Sequence, residues 1–171
     1  MKSAFMPSLM PGIYLAFALI LYTLVLFIAD IDMESPLKYG SYVIMAVGLF
    51  LSIVAFRDKH LDGIITYGKA FSAGFYTGLF ASLIASIFTY FYVQYIDTEL
   101  IANILIMAEE GMLEQNPDMS NEQIDQALSM TEMFTSPIML SVMGFIANVI
   151  LSAGLSLLIA IFAKRENKNI A

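Results

Sequence analysis

The chain has no cysteine and a single histidine, His60. Disulfides and thiol chemistry are therefore excluded. A membrane zinc protease is excluded too, because its HExxH motif needs two histidines. Charge is scarce, at 13% of residues, and it is missing altogether from four long stretches: 9–29, 40–56, 70–96 and 134–163. None of the four contains Asp, Glu, Lys, Arg or His. Proton relays, coupled carriers and voltage sensors usually place ionisable groups at that depth, so their absence argues against a proton-coupled carrier. It leaves room for a passive pore or a lipid-facing groove. Lys and Arg number only eight, against fifteen Asp and Glu, for a net charge of −7.

What the chain does have is apolar surface. It is 59% hydrophobic over 171 residues, with a mean hydropathy of +0.77; soluble domains lie nearer ~45–50%. About 20 apolar residues cross ~30 Å of hydrocarbon. The stretches are apolar all round, which neither an amphipathic soluble helix nor an alternating barrel strand would be. The composition predicts an all-α membrane protein in one domain, 1–171, with four transmembrane helices. The second stretch is short and can borrow Tyr39 and the stem of Arg57; the third and fourth are long enough to tilt or protrude. An N-terminal apolar run this long, with Ala16-Phe17-Ala18 inside it rather than after it, reads as an uncleaved span and not a signal peptide.

The charges between the spans sort by side. Lys2, the loop 57–69 and the tail carry seven bases and three acids, a net of +4. The loop 30–39 and the segment 97–133 carry one base and twelve acids, a net of −11. Orientation follows Lys and Arg, so both termini are expected in the cytoplasm, with the chain in an inner membrane. Aromatic rings fall at the expected interfaces: Tyr90, Phe91, Tyr92 and Tyr95 with Tyr39 and Tyr42 at one level, Tyr67 and Phe71 at the other.

The segment 97–133 holds nine acids and no base. It predicts two short extracytoplasmic helices. Asp97 or Thr98 caps the first, whose apolar stripe Leu100, Ile101, Ile104, Leu105 and Ala108 ends near Gly111. Asn116-Pro117 breaks the chain. Ser120-x-x-Gln123 is a capping-box pattern opening a second helix with Ile124, Ala127, Leu128 and Met130 on one side. Both helices are expected to cap the bundle or lie along the interface. The acids, Glu109, Glu110, Glu114, Asp118, Glu122 and Asp125 among them, do not have the spacing of a calcium loop and read as a solvated face. His60, between Asp58 and Asp62, reads as a solvated loop residue.

Two ladders of small residues stand out within the spans. Ala70, Gly74, Gly78, Ser82 and Ser86 recur every fourth position in the third span, and Gly74–Gly78 is a GxxxG. Gly144, Asn148, Ser152, Ser156 and Ala160 do the same in the fourth. Such stripes let two backbones approach closely. They serve either to pack spans three and four together within one chain or to join two copies. Asn148 is the one strongly polar side chain deep in a span, and its amide needs a hydrogen-bond partner; Ser82, Ser86 and Tyr22 are candidates. It acts either as interhelical glue or as a solute contact in a cavity. Ser152-Ala153-Gly154 lacks the histidine that an intramembrane serine nucleophile would need.

The stretch Ile65-Thr-Tyr-Gly-Lys-Ala-Phe-Ser-Ala-Gly-Phe75, entering a membrane helix after a charged loop with Arg57, resembles the domain of unknown function 4199 family of bacterial integral membrane proteins. The four-span layout and the long acidic segment before Thr135-Ser136-Pro137 are similar as well. The resemblance implies a small inner-membrane protein with no assigned reaction and no catalytic residues to carry over.

These readings lead to a non-enzymatic membrane protein acting by assembly, as a scaffold or accessory subunit. Its partners are expected to be the lipid bilayer and a membrane protein or a second copy, with no nucleic acid, cofactor or metal. The alternative is a passive small-solute or lipid pathway through the bundle, lined by Asn148 and nearby Ser and Tyr groups. An enzyme, third, would need outer-segment acids converging on a metal.

Overall fold

The computed structural model describes residues 3–31 and 35–165. Asp32 and Glu34, counted in the charge of the first acidic loop, and Lys2, Glu166 and Lys168 lie outside the described residues. Among the described residues the chain is all-helical with no strand. Six α-helices follow in order: α1 Leu9–Ile28, α2 Gly40–His60, α3 Tyr67–Phe91, α4 Leu100–Gln115, α5 Asn121–Phe134 and α6 Pro137–Ala163. Among the described residues, four segments are long and apolar enough to cross a bilayer: Met6–Ile28, Pro36–His60, Tyr67–Ile96 and Pro137–Ala163. Their length and composition mark a multi-pass membrane protein.

Local chemistry sets the ends of these helices. α2 runs to His60, past the Phe56 limit of the apolar stretch, and Arg57, Lys59 and His60 lie in its last turn, where cations favour the carbonyl end. It stops where Asp62 and Gly63 take positive φ, 52° and 82°. α6 begins at Pro137 rather than at Phe134, because Phe134 ends α5 and proline without an N–H suits a first helical position.

The chain divides into two compact units, Met1–Ala85 with Phe145–Ala171, and Ser86–Gly144. The division runs through α3 and α6 rather than through a linker.

In the first unit α1 packs on α2. One core cluster gathers Ile53, Phe56, Ile65, Ala70, Ala73, Ala160 and Ala163. A second joins Leu15, Ala16, Met45, Leu49 and Ala81. The end of α6 is tied to the α2–α3 turn by paired backbone hydrogen bonds between Ile65 and Arg165, at 2.9 and 3.0 Å. Large apolar side chains such as Phe17, Leu21, Val43, Leu51, Ile150 and Phe162 stay exposed, as a lipid-facing surface requires.

In the second unit the α-helical part of α3 gives way to a π-turn over Tyr92–Ile96. The Tyr92 hydroxyl donates to the Asp97 carboxylate at 2.9 Å. Asp97 is thereby engaged, and α4 starts at Leu100 after Glu99 with no side-chain cap, not from Asp97 or Thr98. α4 runs past Gly111 to Gln115. Its stripe of Leu100, Ile101, Ile104, Leu105 and Ala108 is half-buried while Asn103, Glu109 and Glu110 are exposed, and α4 packs on α5. α5 opens with a full capping box: the Gln123 N–H donates to Ser120 Oγ, and the Ser120 N–H donates to Gln123 Oε1 at 3.1 Å. Ile124 is buried, but Met130 is 60% exposed; it lies six positions on, off the face that Ile124 defines.

Candidate functional site: the α3–α6 seam

α3 carries two adjacent stripes of small residues, and each meets a different neighbour. The first is the ladder already named. A methyl group added at Gly74 would lie 2.5 Å from Ser156 Oγ and 3.0 Å from Ile53 Cδ1. One added at Gly78 would overlap the Ser152 side chain. Ala70 and Ala160 are both fully buried in one core cluster. Thus Ala70, Gly74 and Gly78 run antiparallel to Ser152, Ser156 and Ala160. Glycine at the middle two rungs lets serine side chains rest directly on the facing backbone, the geometry small residues permit between membrane helices.

Carried one turn further, the same antiparallel register sets Ser82 at the level of Asn148. Ser82 is 1% exposed, yet its hydroxyl has no hydrogen-bond partner among the described residues, and neither has that of Ser156. Asn148 is half-buried, and its amide has no partner among the described residues. Tyr22, one of the expected partners, donates instead to the Leu37 carbonyl at 2.6 Å. The last rung differs: Ser86 is half-buried, and Gly144 has open space where a side chain would begin. Both belong to the second unit.

The second stripe, Ala73, Thr77 and Ala81, lies one position before the first and is fully buried. It builds a hydroxyl relay that sequence reasoning missed. Thr77 Oγ1 donates to the Ala73 carbonyl at 2.8 Å, so the Ser52 hydroxyl of α2, 2.5 Å away, donates to Thr77. Ser8, before α1, donates to the same Ala73 carbonyl at 3.1 Å. Three segments are thereby joined at one buried point. The four-residue recurrence at 73, 77 and 81 was the available signal, but it was hidden beside the longer ladder.

On the basic side Arg57 forms a two-pronged pair with Asp58, at 2.7 and 3.2 Å. His60 lies against the Phe56 ring, with 5.5 Å between centroids. No group of three or more His, Cys, Asp or Glu capable of holding a metal occurs among the described residues.

This arrangement brings small residues and unpartnered polar groups together on one seam and supplies no nucleophile with a base. Over residues 11–165 the sequence matches the family described as "Protein of unknown function (DUF4199)". The chain belongs to this family. No curated protein and no solved structure matches it. The family carries no assigned reaction, so the functional reading rests on the seam itself.

Proposed function

We propose that this DUF4199 chain is a non-enzymatic protein of a bacterial inner membrane that works by assembly, as a scaffold or accessory subunit pairing with a second membrane chain. Asn148 carries the reading. A half-buried amide without a partner in a membrane span costs several kcal/mol, and a neighbouring helix that hydrogen-bonds it recovers ~0.6–2 kcal/mol. Either a copy of this chain or a different membrane protein supplies that helix. A solute pathway through the first unit is less well supported: Ala16, Leu49, Ile53, Ala81 and Ser152 show no exposed surface at its centre. The excess of Lys and Arg on one set of loops supports cytoplasmic termini.

The test uses the absence of native cysteine. Asn148→Cys, as the sole thiol, is oxidised in native membranes, and Asn148→Leu is purified in mild detergent beside the wild type. A cross-linked species of defined mass is expected for the first. For the second, association is expected to weaken about three- to thirtyfold. An Asn148→Leu protein with unchanged assembly would overturn the reading.

A further inference from the structure

A second apolar feature lies away from the α3–α6 seam. A groove of about 550 Å³ runs between α1 and α2, with Pro11, Tyr14 and Ala18 on one wall and Val47, Leu51 and Lys59 on the other. That volume is in the range of small-molecule sites, ~300–1,000 Å³. The α2 wall extends from Val43 to Lys59, about 24 Å at ~1.5 Å per residue. Its floor is closed, because Leu15 covers Gly48 so tightly that a methyl group there would lie 2.6 Å from Leu15 Cδ1. The groove is therefore a surface trough and not an opening into the interior.

The polar groups along it are few and unevenly placed. Ser52 is committed to Thr77. What remains is the Tyr14 phenol and, at one end, Lys59. The Lys59 ammonium is exposed in the last turn of α2 and makes no ion pair with any described residue. Its neighbour Arg57, by contrast, is neutralised by Asp58 at 2.7 Å. A long apolar trough ending in one uncompensated cation has the polarity of an anionic amphiphile. A partner helix would have to bring an acid to Lys59, whereas a phospholipid carries its phosphate on the same molecule as its chain.

We propose that the α1–α2 groove binds one anionic phospholipid, with an acyl chain along the Val43–Ala55 wall and the phosphate on Lys59. This depends on the chain residing in a membrane and is independent of the Asn148 assembly, so either can fail without the other.

Native mass spectrometry of the full chain, titrated with dioleoyl phosphatidylglycerol or dioleoyl phosphatidylcholine, tests it. The wild type is expected to retain one phosphatidylglycerol at about fivefold lower concentration than phosphatidylcholine. Lys59→Gln should remove that preference. Lys164→Gln, also exposed but outside the groove, should leave it intact. Ala55→Phe, which fills the trough beside Lys59, should expel both lipids. Equal retention of the two lipids by the wild type would overturn the proposal, as would an unchanged preference in Lys59→Gln. A dimer that forms in place of lipid and is lost in Ala55→Phe would do the same by assigning the groove to a second copy. If Ala55→Phe fails to fold, the wild-type comparison and Lys59→Gln still decide.

Discussion

At the level of single residues, Gly78 and Thr77 show how closely α3 is fitted to two neighbours at once. Gly78 has Ser152 directly over its backbone, so Gly78→Leu must push α3 and α6 apart. Overpacking of this kind costs ~1–3 kcal/mol. Gly78→Leu is expected to lower the detergent melting temperature, and the Gly74→Leu, Gly78→Leu double variant to lower it further or fail to assemble; an unchanged melt would refute the close packing. Thr77→Val keeps the shape but removes the hydroxyl that accepts from Ser52. Leaving a buried donor unsatisfied costs ~1–3 kcal/mol. Thr77→Val is expected to be destabilised, and adding Ser52→Ala to recover part of the loss, in a double-mutant cycle read by thermal unfolding.

At the level of elements, helix ends were legible where the signal was a local hydrogen-bonding pattern and illegible where a side chain had two possible uses. Ser120 and Gln123 form the box that their spacing predicts, because a capping box closes within four residues. Ser120→Ala is expected to cost ~0.5–2 kcal/mol of α5 stability, visible as faster amide exchange over residues 121–124 with little change in α1 or α2. Asp97 had the composition of a cap, but Tyr92 lies five residues before it on the π-turn and engages its carboxylate. Nothing in the sequence ranks these two uses of one carboxylate. α4 likewise continues four residues past Gly111, since a half-buried glycine within a packed helix lowers propensity by only ~1 kcal/mol.

At the scale of the whole molecule, four apolar segments and a lopsided distribution of Lys and Arg are expected to give one topology, with N- and C-termini on the same side. Reporter fusions after Lys59 and after Asp118 are expected to report cytoplasmic and external locations respectively; an external signal from the Lys59 fusion would reverse the orientation. The all-helical class, the four helices long and apolar enough to span a membrane, and the family were legible in the sequence itself. Crossing hydrocarbon needs a run of apolar residues in contiguous chain, and a local property of that kind is readable without a fold. Which faces of those spans meet was decided only by the tertiary structure. Residues deep in the spans are nearly all apolar or small, Asn148 apart, so no hydrophobic stripe tells the inside from the lipid side. Packing alone chose Ser156 and Ser152 to cover Gly74 and Gly78, joined Ser8, Ser52 and Thr77 into one relay, left Asn148 without a partner among the described residues, and placed Lys59, which pairs with no described acid, at the end of an apolar groove.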